Sequence, residues 1–403
     1  MTLARPTAAP AYPLLWNSPE VDLPAAINSF GFDLHKTLMG HTICPANVFS
    51  ALLMAANGAD GDTLAAILKS LNLPLVTADE IPSLNAQYAQ LESRIFGRGG
   101  GGGGEEEGKE VDVKTASSIW YRQDLRPLAR FEENMRVYFN SSSGPIDAAG
   151  INEFIRAKTL GRITTNYSPT SFGDSTLVLI ACFFFKAPWE TPFVRSDFPS
   201  SRFGNFSGGY EYYTRMHQTA YFDYLESDAI QAVFLNYKVP TGKSHPPCRW
   251  AAAVLLPKAS TRAAMQVVLE SLTSDSWAQL RGNVRRSKVH LTLPRFEIRE
   301  GIDLTEVLTR KVSPIAFTNA AEFSRINGTP TKVSRVEHMT LLKVDELGSE
   351  VAAVTVVGMI FGAAQEEVHE MMVDRPFLFL VFERDSGLVV CSSLVESLRG
   401  PDI

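Results

Sequence analysis

The sequence predicts an α+β fold, because stretches with helical spacing of apolar residues and stretches typical of buried strands both recur along it. The clearest strand signals are two uninterrupted apolar runs, LVLIACFFF from Leu177 and FLFL from Phe377. The first helical pattern covers residues 21–38. With 403 residues, 45% hydrophobic side chains and a mean hydropathy of −0.02, the chain is predicted to be a large soluble globular protein with enough apolar residues for a core.

Helices are predicted to dominate the first hundred residues. After residues 21–38, the block ICPANVFSALLMAANGADGDTLAAILKSL predicts a strand end, a buried helix, a glycine stop and a further helix capped by Thr63. Residues 84–96 form another amphipathic pattern. Six glycines and three glutamates follow at 99–107. A phosphate-binding loop would need a Gly-Lys-Ser/Thr ending, and the carboxylates would repel phosphate, so residues 97–110 are predicted to be a flexible insertion.

The rest of the chain is predicted to be mostly strands. These lie at residues 113–121, 177–186 with a turn at 187–188, 216–222, 229–237, 251–257 and 289–296. A helix is predicted over residues 261–280, and a shorter one follows Asp303.

Residues 343–365, KVDELGSEVAAVTVVGMIFGAAQ, are the most unusual stretch. No charge occurs from Val351 to Gln365, a run too short to cross a membrane as a helix. A core strand is the simplest interpretation, but the glycines near the C-terminal end of the stretch disfavour a regular strand there. Alternation would place small or β-branched side chains on one strand face, at Ser349, Val351, Ala353, Thr355 and Val357. The stretch is therefore predicted to be able to form either a strand or a loop.

Several blocks resemble the serpin family, in the family's order and spacing from about residue 25 to the C-terminus. VDELGSEVAAVT resembles the reactive-loop hinge, and VDRPFLFLVFERDSGLVV resembles the C-terminal signature. INEFIRAKTLGRI, LVLIACFFFKAPWETPF and VHLTLPRF resemble further family blocks. The resemblance implies the serpin fold, with three β-sheets, eight or nine helices and an exposed reactive-centre loop. It implies an extended N-terminal segment at residues 1–24 and a single serpin domain at 25–403.

The resemblance implies a suicide-substrate inhibitor of proteases. A target protease would cleave the loop and form a covalent acyl-enzyme, and the loop would then insert into the large sheet and trap the enzyme. The implied hinge comprises Glu346, Gly348, Ser349, Glu350, Val351, Ala352, Ala353, Val354 and Thr355. Val351 and Val354 are bulkier than the alanine usual in the family. A non-inhibitory member acting as a binding or structural protein is therefore the competing interpretation.

The family's spacing from Glu346 places the reactive bond at Gly362-Ala363, with Phe361 or Met359 as alternatives before the bond. No lysine or arginine lies between positions 343 and 375, which disfavours a trypsin-like target with a carboxylate in its pocket. Gly362 suits an elastase- or subtilisin-like serine protease, and Phe361 a chymotrypsin-like one. A papain-like cysteine protease is a further alternative.

The resemblance also implies a polar cluster where the large sheet must open. Cys44 and Asn47 replace serines usual in the family, and Ala181 replaces an asparagine that normally hydrogen-bonds the histidine matched by His338. His338 therefore needs another partner, and Asn47 or water are the candidates. A buried, hydrogen-bonded histidine is favoured over a catalytic one.

Composition and motifs disfavour several other functions. A net charge of −6 gives no basic surface for nucleic acid, and no hydrolase, metalloprotease or dinucleotide motif occurs in a suitable context. We therefore expect no enzyme activity, no metal and no cofactor, and a monomer whose partner is the target protease rather than a membrane. Four scattered cysteines indicate free thiols in a reducing compartment, although their even number leaves disulfides possible. No signal peptide is recognised, which favours an intracellular location without excluding release from the cell.

Overall fold

The computed structural model describes residues 20–96, 111–159, 161–196, 201–239, 249–311, 314–349 and 367–398. Within these ranges ten α-helices and three β-sheets form a mixed α+β architecture, which confirms the predicted fold class. The ten helices exceed the expected eight or nine, and one of them has only four residues. Residues 1–19 and the glycine-rich insertion at 97–110 lie outside the described residues, so the division into segments stays a prediction.

Most helices match the predicted segments. They are α1 Leu23–Thr37, α2 Pro45–Ala56, α3 Gly61–Ser70, α4 Ile81–Phe96, α5 Ala129–Phe139, α6 Ala148–Lys158, α7 Arg262–Ser271, α8 Ser274–Asn283, α9 Thr305–Lys311 and α10 Ser324–Asn327.

Two helix predictions were wrong in detail. The N-cap of α3 is Asp60, whose carboxylate accepts from the Gly61 N–H. Thr63 lies inside that helix, and its hydroxyl instead accepts the backbone N–H of Glu322 at 2.9 Å. The single helix expected over 261–280 is two helices, because Thr273 forms a capping box with Ser276 that starts α8.

Seventeen strands lie in the described residues. They are β1 Thr42–Ile43, β2 Asp112–Tyr121, β3 Ser142–Pro145, β4 Leu177–Pro188, β5 Val194–Arg195, β6 Ser201–Gly204, β7 Tyr210–Tyr213, β8 Arg215–Glu226, β9 Ile230–Asn236, β10 Trp250–Pro257, β11 Arg285–Pro294, β12 Phe296–Asp303, β13 Val333–Val344, β14 Gly348–Ser349, β15 His369–Met372, β16 Phe377–Glu383 and β17 Val389–Val395. The turn predicted at residues 187–188 is instead the last part of β4.

The strands form sheets of nine, six and two strands. The nine-stranded sheet has the order β1-β17-β16-β10-β9-β8-β11-β15, with β5 on β8, and the two-stranded sheet is β6-β7. The six-stranded sheet has the order β12-β13-β4-β2-β3, with β14 on β4. The six-stranded sheet corresponds to the sheet into which the family resemblance implies that the loop inserts. It contains β4, which begins at Leu177, and β13, which carries His338.

The centre of the six-stranded sheet is a direct parallel pairing of β4 with β13, here called the seam. Both faces of the seam are covered. One face of β4, including Phe183 and Phe185, belongs to the main core that also contains α2. The opposite face, including Cys182 and Phe184, packs against α6 through residues such as Phe154. Burial on both sides explains why β4 is an unbroken apolar run instead of an alternating one.

No helix in the described parts of the chain is long and apolar enough to cross a membrane.

Candidate functional site: the seam and the hinge that leads into it

The hinge begins where both seam strands end. The chain leaves β13 at Val344 and turns back, so that Gly348 pairs antiparallel with Pro188 and Ser349 with Ala187. The backbone N–H of Asp345 donates to the Gly348 carbonyl at 2.8 Å, which closes this tight turn. Two residues of a new antiparallel strand therefore already lie on β4 at one end of the seam.

Position 348 requires glycine. Its φ of +151° is rarely adopted by residues with a side chain, and a Cβ there would lie 2.2 Å from the carbonyl oxygen of Ala187. Glycine at this position of the implied hinge thus has a steric basis in the close approach of the two backbones.

Aromatic side chains hold the turn in place. The indole Nε1 of Trp189 donates to the Asp345 carbonyl at 2.9 Å, and its backbone N–H donates to the Leu347 carbonyl at 2.9 Å. The Trp189 ring stacks on Tyr237 with 4.4 Å between ring centroids. The Tyr237 hydroxyl lies 3.0 Å from Ser349 Oγ, and both groups are buried.

The hinge residue Glu346 is held by charge and by backbone. Its carbonyl accepts from the Phe193 N–H at 2.7 Å, and its carboxylate forms an ion pair with Arg295 at 3.1 Å. Arg195 lies 3.9 Å from the same carboxylate. These contacts fix the hinge at its N-terminal side.

Ser349 shows no feature of a nucleophile. Its hydroxyl partner in the structure is Tyr237, whose pKa is raised by burial, so that group stays protonated at neutral pH. A protonated phenol cannot act as the general base that an attacking serine needs. A small buried side chain at the start of a strand is the interpretation that the contacts favour.

The remaining predicted hinge and bond positions follow Ser349 in the chain. Glu350, Val351, Ala352, Ala353, Val354 and Thr355, with Met359, Phe361, Gly362 and Ala363, lie outside the described residues and stay predictions. The chain is described again from Glu367, and β15 then pairs with β11 at the edge of the nine-stranded sheet.

The four residues predicted for the sheet-opening region meet at the middle of the seam. His338 on β13 is the register partner of Ala181 on β4. The Cys44 N–H at the start of α2 donates to His338 Nε2 at 3.1 Å. Asn47, in the first turn of α2, donates its side-chain N–H to the carbonyl of Cys182 on β4. The first turn of α2 therefore bonds to both strands of the seam and acts as a bridge across it.

The suggestion that Asn47 serves as the partner of His338 was wrong, because its amide reaches β4 instead. His338 Nε2 lies 2.9 Å from the hydroxyl of Thr340, which is not among the predicted residues of the sheet-opening region. Thr340 follows His338 by two positions on one strand, so alternation alone places the two side chains on the same face. That spacing was the signal that could have identified Thr340.

His338 is neutral in this environment. Burial lowers its pKa to about 4, and the Ala181 backbone opposes the shift only in part. Since Nε2 accepts the Cys44 N–H, the ring proton lies on Nδ1. Asn47 Oδ1 has no hydrogen-bond partner within the described ranges. An unpaired buried polar group weakens the closed seam, because it costs the folded state its lost hydration.

A charged cluster lies near the N-terminal end of β13. Arg335 forms ion pairs with the buried Glu337 and, at 3.4 Å, with Asp303. Its guanidinium also lies over the ring of Tyr167, in the segment that follows α6. Burial raises the pKa of Glu337. Through Arg335, this cluster connects the N-terminal end of β13 to the segment that follows α6.

No group of three or more potential metal ligands occurs in the described part of the chain. Three of the four cysteines, Cys44, Cys182 and Cys391, are unpaired and buried, and Cys248 lies outside the described residues.

Comparisons with known proteins agree with this geometry. A family model described as serpin (serine protease inhibitor) matches residues 25–396. An uncharacterised serpin-like protein of Thermococcus kodakarensis is 28% identical over 394 residues, covering 94% of this chain and 86% of that protein. Alpha-1-antichymotrypsin of Homo sapiens is 26% identical over 395 residues, with coverages of 93% and 88%. Human thyroxine-binding globulin, solved in complex with thyroxine, matches in fold with a TM-score of 0.78 at 20% identity, covering 94% of this chain and 98% of that chain.

Proposed function

The chain belongs to the serpin family of serine protease inhibitors, and on that premise we propose that it is a suicide-substrate inhibitor whose reactive loop inserts between β4 and β13. The observation that carries the proposal is β14, which lies antiparallel on β4 at the open end of a seam of two parallel strands. A strand inserted there would replace one parallel pairing with two antiparallel ones. Serpin loop insertion is a standard example of such strand addition.

The register of β14 supports this proposal. Gly348 pairs with Pro188 and Ser349 with Ala187. Continued one residue at a time, the same register would bring Ala353 to Phe183 and Thr355 to Ala181. Thr355 would then arrive between Ala181 and His338, at the point where the first turn of α2 bridges the seam.

Side-chain size also supports insertion. Ser349 shares the core face of the sheet with Ala187, so Val351, Ala353 and Thr355 would face the core after insertion. All are uncharged, as a buried face requires. Glu350 would face the α6 side close to the open end of the sheet.

We propose that the target is an elastase-, subtilisin- or chymotrypsin-like serine protease, cleaving at Gly362-Ala363 or after Phe361 or Met359. The absence of lysine and arginine from residues 344–374 supports this choice over a trypsin-like enzyme. A papain-like cysteine protease is the second target class to test.

One observation favours a non-inhibitory binding protein as the second candidate. The β14 register would bring Val351 against Phe185, which already packs on Tyr237 with 5.0 Å between ring centroids. A side chain bulkier than alanine at that point would slow insertion, and slow insertion lets the protease complete hydrolysis and leave.

The test is a gel assay for complexes that survive SDS, using elastase, subtilisin, chymotrypsin and papain. We expect a covalent complex with at least one enzyme, and mass spectrometry should place the first cut within residues 359–365. Thr355→Arg is the matched variant, because a charge at the middle of the seam should block insertion. It should be cleaved at the same bond without forming a complex. Cleavage of the unmodified protein without a complex, and without a gain in heat stability, would support the non-inhibitory candidate.

A further inference from the structure

Two unpaired cysteines lie opposite each other beside the seam. β1 pairs antiparallel with β17, with Thr42 opposite Ser393 and Ile43 opposite Ser392. Continued by one residue, that register would place Cys44, the N-cap of α2, opposite Cys391. The two side chains interact, and both are fully buried. Opposed residues of antiparallel strands have Cα atoms roughly 4.5 to 5.5 Å apart, a separation that a disulfide can span.

Cys44 is also part of the bridge across the seam. Its N–H binds His338 on β13, and its Sγ lies 3.5 Å from the hydroxyl of Thr340 on the same strand. Asn47, less than one helical turn further on, binds β4. Cys44 thus lies where α2, β13 and β17 meet.

We propose that Cys44 and Cys391 form a redox pair, and that their oxidation to a cross-strand disulfide restrains the first turn of α2 and slows opening of the seam. The oxidant would be a small disulfide such as oxidised glutathione. One cysteine thiolate attacks it and releases one thiol, and the second cysteine then displaces the other thiol. In sum two cysteine thiols become one disulfide, while the oxidant gains two electrons and two protons and leaves as two thiols. The consequence for loop insertion rests on the proposed function.

Cys182 is not suited to replace either partner. Cys182 lies on the face of β4 that packs against α6, so the sheet itself separates it from Cys44. Cys248 can be removed by substitution. Burial and the neighbouring Cys391 raise the pKa of the Cys44 thiol, so exchange is slow while the seam is closed. Opening of the seam would expose the pair to the oxidant.

The restraint has a definite physical basis. With free thiols, the first turn of α2 can follow β13 when the strands separate, and its contacts with the β4 side, from Asn47 to Cys182 on β4 and from Ser117 on β2 to Asn47, must break. With Cys44 fixed to β17, the hydrogen bond to His338 must break as well. Loss of one buried hydrogen bond in the opening step corresponds to about a fivefold slower rate.

The experiment uses the full chain carrying Cys248→Ser, treated with excess oxidised glutathione while folded. Peptide mapping without reductant should show the loss of two thiols and a cross-link between the peptides that contain Cys44 and Cys391. The controls are Cys44→Ser, which keeps a hydroxyl donor near Thr340, and Cys391→Ala. Amide hydrogen exchange in the first turn of α2 should slow on oxidation in the parent protein and not in either control. On oxidation, the rate of complex formation with the protease should fall about fivefold in the parent protein and should not fall in either control.

Failure to form this disulfide, or formation of glutathione adducts in its place, would overturn the proposal. If the disulfide forms but leaves both amide exchange and the rate of complex formation unchanged, the proposal that it restrains the first turn of α2 is wrong. If the reduced protein forms no complex with any protease, the proposed function fails instead, and peptide mapping with amide exchange still decides the redox proposal.

Discussion

The pKa of His338 predicts how the stability of the closed seam depends on pH. The ordinary pKa of histidine is about 6.5, and burial lowers that of His338 to about 4, so the folded protein favours the neutral ring. Unfolding therefore binds a proton below pH 6.5, and stability is lost as the pH falls from 6.5 towards 4. At pH 4.5 the linkage relation gives a loss of about 2.5 kcal/mol relative to pH 7.5 from this single group.

The assay is urea unfolding at pH 7.5 and 4.5, comparing the unmodified protein with His338→Gln, which cannot titrate. His35 is a necessary second comparison, because burial also lowers its pKa to about 4. The unmodified protein should lose about 2.5 kcal/mol more than His338→Gln over this range, and the double variant with His35→Gln should lose less still. An equal pH dependence in the unmodified protein and His338→Gln would refute the reasoning.

Three further predictions, which use four substitutions, test the hinge and the packing of α6 on the seam. Gly348→Ala should lower the free energy of unfolding by about 1–3 kcal/mol, because its Cβ meets the Ala187 carbonyl oxygen at 2.2 Å; an unchanged melting temperature would contradict the steric role of the glycine. Tyr237→Phe leaves the Ser349 hydroxyl buried without its 3.0 Å partner and should cost about 1 kcal/mol in chemical unfolding, whereas Ser349→Ala in the same background should restore most of that loss. Phe154→Ala removes a buried ring from the α6 face and should destabilise the intact protein by about 3–5 kcal/mol; a loss below 1 kcal/mol in thermal unfolding would show that α6 packs loosely on the seam.

The sequence predicted those features that depend on local patterns. The apolar run from Leu177 predicted a strand buried on both faces, and β4 has that environment. The family resemblance grouped Cys44, Asn47, Ala181 and His338, which meet at the seam although they come from three separate elements.

Other features depend on contacts between distant residues. Thr63 has the right chemistry for an N-cap, but Asp60 precedes it by three residues and takes that position. The amide of Asn47 could reach either seam strand, and only the position of α2 decides in favour of β4. The pairing of Cys44 with Cys391 requires the register of β1 on β17, which no local pattern in either segment reveals.

On the proposed function, the length of the seam would limit how much of the loop inserts. β4 extends from Pro188 back to Leu177, and Gly348 lies opposite Pro188. Continued along the whole strand, this register would bring Met359 to Leu177, so residues after Met359 would have no partner on β4. The predicted bond at Gly362-Ala363 lies just beyond that limit, whereas cleavage directly after Met359 would make the last inserted residue the one attached to the protease. A bond at 362–363 would leave three residues as a tether outside the sheet. On the proposed function, the position of the first cut would therefore decide how closely the trapped protease is held against the end of the sheet.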